Sequence, residues 1–246
     1  MYLLMPVYLL QEGNIKINYF DISYNELEDW SVGPLCGFAL KFLNCSHNCL
    51  KTNPSWLWGD FCRSLEELDL SFNSFTNPSF MVKTYTLWRT GVTVRLRNVN
   101  LCQCGINTNH LNLLHPLKAV QKLNLGNSKK EHRLRFPAQY DKHNFICQLS
   151  FKPFQSTNVL TELSLCGVGL ASLPDDICCL QALEILDCQE NHLQWLPDTF
   201  SKLLKLRIVI FSKNKLLYLP EDLGNLSVLE ELWLDSNEVN SCVLLL

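Results

Sequence analysis

The sequence predicts an α/β solenoid: a curved horseshoe with parallel β-strands on its concave face and short helical or 3₁₀ turns on its convex face. Three observations predict it. Four eleven-residue lines share one frame: LTELSLCGVGL from Leu160, LEILDCQENHL from Leu183, LRIVIFSKNKL from Leu206 and LEELWLDSNEV from Leu229. Their starts lie 23 residues apart (183 − 160, 206 − 183, 229 − 206). A second line recurs between them, as LPDDICCL from Leu173, LPDTFSKL from Leu196 and LPEDLGNL from Leu219. Self-similarity at such a period marks stacked units, each burying its apolar edge only against its neighbours.

Each line is apolar at places one, four, six and eleven. Side chains alternate across a strand, so places four and six point inward from one short strand and places three and five project from the other face. Place nine is Asn in most lines: Asn191, Asn214 and Asn237 here, with Val168 in the first line. An Asn at that point bonds backbone groups of the adjoining turn, which leave the strand ladder with no other partners. Val168 has no such capacity, so its turn is expected to be weaker or bonded differently.

The Pro of each LP pair fixes the chain as it leaves the strand layer. The apolar residues behind it recur every three positions: Ile177, Leu180, Leu183; Phe200, Leu203, Leu206; Leu223, Leu226, Leu229. That spacing predicts a helical or 3₁₀ turn on the outer side.

The frame continues toward the start of the chain. It reads INYFDISYNEL from Ile17, LKFLNCSHNCL from Leu40 and LEELDLSFNSF from Leu65, with Asn25, Asn48 and Asn73 at place nine. LRNVNLCQCGI from Leu96 puts Cys104 there, and VQKLNLGNSKK from Val120 puts Ser128 there. Two spacings break the period. Leu65 to Leu96 is 31 residues, in a segment holding Asn77-Pro78 and Trp88, and Val120 to Leu160 is 40. ICQLSF from Ile146 imitates the strand frame, but the 14 residues to Leu160 leave no room for a return coil. The expected organisation is irregular repeats over 1–128, about five units; a basic loop or irregular insertion over 129–158; and four regular units over 159–246, the last truncated. The basic residues of that loop are Lys129, Lys130, Arg133 and Arg135. Neither end carries a polar cap, so the chain is expected to be part of a longer product.

A net charge of −3 gives no electrostatic case for nucleic acid or for an acidic membrane surface. Twelve cysteines raise the question of disulfides. Cys45 and Cys188 occupy inward places where other units have Leu, and free cysteine packs as a small buried hydrophobe. No cysteine pairs suited to a disulfide-rich cap stand at either end, which favours a reduced, cytoplasmic setting. The opening MYLLMPVYLLQ lacks the positive flank of a signal peptide and the roughly 20 apolar residues of a membrane span.

The LP-containing 23-residue units resemble the leucine-rich repeat family, and most of all its intracellular, Ras-group type. The resemblance implies a non-enzymatic scaffold or adaptor in intracellular signalling, whose partner protein, for instance a small GTPase or a phosphatase, binds the concave face. The alternative it implies is the targeting or sensing portion of a larger enzyme, such as a kinase–GTPase or a ubiquitin-ligase subunit. A secreted receptor ectodomain is a third class and would require oxidised cysteines.

No phosphate-binding, zinc-protease or nucleophile-elbow motif occurs, and no cofactor is expected. Cys45, His47 and Cys49 have metal-ligand spacing, but the frame turns Cys45 inward and His47 outward, so one tetrahedral site cannot collect them. What remains is a surface. Two apolar groups stand out among the outward places: Tyr19 with Phe42, and Ile185, Ile208, Ile210 and Trp233. The second is rimmed by Glu162, Asp187, Glu190, Glu230, Glu231 and Asp235. An apolar patch centred on Trp with a charged rim is the pattern of a protein-binding hot spot. Its acidic rim suits a partner segment in which Lys or Arg flanks an apolar anchor.

Overall fold

Nine three-residue strands pair in chain order into one parallel sheet: β1 Tyr19–Asp21, β2 Phe42–Asn44, β3 Glu67–Asp69, β4 Asn98–Asn100, β5 Lys122–Asn124, β6 Glu162–Ser164, β7 Ile185–Asp187, β8 Ile208–Ile210 and β9 Glu231–Trp233. The computed structural model describes residues 17–28, 40–52, 64–75, 95–108, 120–128, 143–155 and 158–240. The long spacing between Leu65 and Leu96, with Trp88, falls mostly outside these residues.

Every pairing aligns like places, so one row runs Tyr19, Phe42, Glu67, Asn98, Lys122, Glu162, Ile185, Ile208 and Glu231 across the sheet. Places one, four, six and eleven of the middle units are buried, among them Leu43, Leu68, Leu101, Leu165, Leu186, Phe211 and Leu216. Each such side chain contributes roughly 1.5–3 kcal/mol by leaving water.

Pro174, Pro197 and Pro220 hold extended backbone at φ −74°, −66° and −58°. Each is followed by a 3₁₀ helix: Asp175–Cys179, Asp198–Lys202 and Glu221–Asn225. Ile177, Phe200 and Leu223 face the core from these turns, as the three-residue spacing predicts. A narrow strand on one side and a wider turn on the other make the stack curve.

The ninth-place Asn residues join the units. Nδ2 of Asn191 donates to the Cys188 carbonyl of its own unit at 2.9 Å and to the Leu165 carbonyl of the preceding unit at 2.8 Å. Its Oδ1 accepts the Gly169 and Leu170 main-chain N–H groups, each at 3.0 Å. Asn48, Asn73, Asn214 and Asn237 repeat the double donation. Among the described residues Asn25 has only the two local bonds, to the Ile22 and Ser23 carbonyls. Cys104 keeps part of the function: its thiol lies 3.1 Å from the Leu70 carbonyl and 3.5 Å from that of Cys102.

The fifth unit corrects the expectation that Ser128 fills place nine. Asn144 fills it. Its Nδ2 donates to Leu101 and Leu125 carbonyls, both at 2.8 Å, and its Oδ1 accepts from the N–H of Cys104 and of Ile106. The chain therefore leaves the repeat after the eighth place, Asn127, and re-enters sixteen residues late (144 − 128). Ile146 is the buried eleventh place of this unit rather than the start of a strand frame. The residues behind it are the return coil, with a short 3₁₀ helix at Lys152–Phe154 and with Phe151 and Phe154 in the core. The basic residues of 129–142 lie outside the described residues.

Place eight is left-handed in eight units: Tyr24, His47, Phe72, Gln103, Gly167, Glu190, Lys213 and Ser236 have φ between 53° and 64°. For seven of these residues L-chirality makes this conformation cost about 1 kcal/mol or more. A bond to the next unit offsets it, as when Glu190 N–H donates to the Ser212 carbonyl at 3.0 Å. At Val168 the turn is indeed bonded differently. The Ile146 N–H donates to the Val168 main-chain carbonyl at 2.8 Å, where a regular unit offers a side-chain oxygen. Gly169 lies against the Phe145 ring, so a Cβ there would meet the ring at 2.8 Å.

Candidate functional site

Places three and five of all nine strands face outward on the concave side. At place five most residues serve the turn. Oδ1 of Asp21, Asn44, Asp69, Asn100, Asn124 and Asp187 each accepts the main-chain N–H two residues on, at 2.8–3.1 Å. The local bonds to Ser23 hold the Asp21 carboxyl below its ordinary value. Asp187 also takes Gln189 Nε2 on its second oxygen at 3.0 Å, so its carboxylate braces its own turn.

In the last two units place five is apolar. Ile210 lies in register between Asp187 and Trp233, and Ile208 between Ile185 and Glu231. The sheet thus brings Ile185, Ile208, Ile210 and Trp233 together. Trp233 is 53% exposed, and its Nε1 donates to Glu231 Oε2 at 2.9 Å, which satisfies the indole and leaves its ring faces open.

Much of the acidic rim is already compensated. Arg207 forks onto Glu230 at 3.0 and 2.9 Å, Lys213 reaches Glu190 at 3.1 Å, and Lys122 reaches Glu162 at 2.6 Å. The Arg207 bond lowers the Glu230 carboxyl, and the Glu162 bond raises the Lys122 ammonium. Asp235 accepts the Ser212 hydroxyl. Among the described residues, Asp187, Glu231 and Asp235 have no ion-pair partner.

At the other end Tyr19 and Phe42 stack with ring centroids 4.2 Å apart and planes within 1°. A shallow groove of about 460 Å³ runs between the two apolar groups, past Phe42, Asn98, Lys122 and Ile185. A second ring column runs along the turn edge at place eight: Tyr24 on His47 and His47 on Phe72, each pair at 4.1 Å. The sequence carries its signal as three aromatic rings at one place of successive lines, but place eight has no assigned role until the turn geometry is known. His47 is in this column while Cys45 is in the core. Among the described residues no group of three His, Cys, Asp or Glu could hold a metal ion. No described helix is long and apolar enough to cross a membrane.

Residues 143–244 match the family described as Leucine-rich repeat region, and residues 64–82 match Leucine Rich Repeat. No curated protein matches the sequence. Among solved structures, a TDR receptor superposes at TM-score 0.65 with 23% identity, over 91% of this chain and 35% of that one. The Leptospira interrogans protein LIC12759 does so at 0.51 with 25% identity, over 82% and 56%. The Drosophila Toll–Spatzle complex gives 0.57 with 20% identity, over 80% and 27%. This chain thus spans about a third of the length of the first of these and just over half of the second. Residues 64–82 and 143–244 thus match leucine-rich repeat families by sequence, and β1–β9 have the parallel-strand solenoid fold of leucine-rich repeat structures.

Proposed function

We propose that the chain is a non-enzymatic scaffold or adaptor that binds a partner protein on the C-terminal half of its concave face. The observation that carries the reading is the convergence of Ile185, Ile208, Ile210 and Trp233 on one face, where the third to sixth units place polar residues. The uncompensated Asp187, Glu231 and Asp235 favour a partner segment with Lys or Arg beside an apolar anchor. Tyr19 and Phe42 form a second contact on the same face. Interaction is the general work of leucine-rich repeats, and two solved relatives are complexes, of Toll with Spatzle and of an Arabidopsis thaliana receptor kinase ectodomain with CASPARIAN STRIP INTEGRITY FACTOR 2.

The LP-containing 23-residue period supports the Ras-group reading, and with it a signalling role toward a small GTPase or phosphatase. Nine described cysteines are free thiols, which supports a reducing, cytoplasmic setting. The second reading, the recognition portion of a larger multidomain enzyme, is supported by relatives two to four times as long as the part this chain covers.

The test is affinity capture from cell lysate with mass spectrometry, using the native chain beside a variant with Ile208→Asp, Ile210→Asp and Trp233→Asp, matched by circular dichroism. Partners lost only from the variant are expected, and their identity separates the signalling classes. Identical partner lists from both baits would sink the concave site.

A further inference from the structure

Outside the concave face, three exposed apolar side chains gather on the flank that follows β7 and β8: Trp195 at 45%, Leu217 at 37% and Tyr218 at 50% exposure. Trp195 and Tyr218 hold the same place in adjoining units (195 − 183 = 218 − 206 = 12). The backbones that carry them are bonded to each other, since Leu217 N–H donates to the Gln194 carbonyl at 3.1 Å. Trp195 and Tyr218 therefore occupy like positions of adjoining units on the same flank.

Three residues beyond each ring comes an exposed acid, Asp198 and Glu221, the first residue of each 3₁₀ helix. Neither has an ion-pair partner among the described residues. Other carboxylates are neutralised across the stack, Glu28 by Lys51, Glu66 by Lys41, Glu190 by Lys213 and Glu230 by Arg207. Lys215 stands at the turn on the strand side of the rings. The first turns of both 3₁₀ helices are thus acidic, and Lys202 stands at the far end of the first.

We propose that this flank docks an extended protein segment carrying an arginine or lysine beside an aliphatic residue. The cation lies over the faces of Trp195 and Tyr218 and points toward Asp198 and Glu221, away from Lys215. The ring quadrupoles and the carboxylates attract the same charge, and the aliphatic neighbour covers Leu217. None of these residues belongs to the concave patch, so the two surfaces can be occupied at once.

The probe is the capped pentapeptide Gly-Leu-Arg-Leu-Gly, titrated to millimolar concentration into the full ¹⁵N-labelled chain. Saturable shifts are expected at the Trp195 indole N–H and at the Tyr218, Asp198 and Glu221 amides, with Ile208 and Trp233 unmoved. The variant D198N/E221Q, which keeps both rings, is expected to weaken binding about fivefold or more, as is W195A/Y218A. Replacing Arg by Glu in the peptide is expected to abolish the shifts. The proposal is overturned by the absence of shifts, by equal shifts with the Glu peptide, by shifts confined to the concave face, or by unchanged affinity in D198N/E221Q.

Discussion

Asn127 holds Asn144 in place across a gap of sixteen intervening residues. Its Oδ1 accepts the Asn144 main-chain N–H at 2.7 Å, and its Nδ2 donates to the Asn144 carbonyl at 2.9 Å. The same Nδ2 reaches the Gly167 carbonyl of the next unit at 2.7 Å. An eighth-place residue thus closes the base of the insertion and delivers the ninth-place Asn to its slot.

Asn144→Ala is expected to lower stability by about 3 kcal/mol or more, because it strands buried main-chain groups of Cys104, Ile106 and Leu101. Ser128→Ala, at the position that the uninterrupted frame would assign to place nine, is expected to cost less than about 1 kcal/mol. Urea unfolding of the two variants decides between the assignments. Equal losses would contradict the structural one.

Excising 128–143 with Asn127→Gly rejoins places eight and nine and leaves a unit of 24 residues (160 − 120 − 16). Glycine supplies the left-handed conformation that the other units have at place eight. The shortened chain is expected to unfold cooperatively, with stability within about 2 kcal/mol of the parent, since loop closure varies slowly with length. Loss of a cooperative transition would show that the insertion itself supports the solenoid.

Burial pushes the thiols of Cys104 and Cys188 well above the ordinary cysteine range. In the unfolded chain they ionise near pH ~8.5, so above that value the unfolded state gains stability that the folded state does not. Stability is therefore complete below pH ~8.5 and expected to fall by about 1.4 kcal/mol per pH unit for each thiol as pH rises beyond it. Denaturant midpoints between neutral and alkaline pH measure this, and Cys188→Ala should flatten the slope. In native labelling by a maleimide, exposed Cys147 should react well before either.

His47, held between Tyr24 and Phe72, has its imidazolium form disfavoured chiefly by burial, with Asp69 opposing. Its folded value lies below the unfolded one, so its stabilising effect is present above pH ~6.5 and lost as pH falls through the folded value. An NMR titration of the ring should show a midpoint below that of a free histidine. His47→Phe should keep the column and remove this part of the acid sensitivity. A midpoint at or above the free value would contradict the packing argument.

The period-two and period-three patterns of the regular units were legible in the sequence alone. Leu186, Cys188, Pro197 and Phe200 occupy the roles their places assign, because alternation along a strand and the fixed φ of proline are properties of the local chain. The outward positions of Ile208, Ile210 and Trp233 follow from the same alternation. Tertiary structure alone decided what depends on groups far apart in sequence. Asn144 fills a slot that spacing gave to Ser128, because the orphaned carbonyls of Leu101 and Leu125 come together only in the stacked array. The column of Tyr24, His47 and Phe72 exists because place eight is left-handed, a conformation the next unit's carbonyls stabilise. The rim of Glu230 and Glu190 reads as free charge in one dimension; in three, Arg207 and Lys213 of a neighbouring unit lie within reach, 23 residues away.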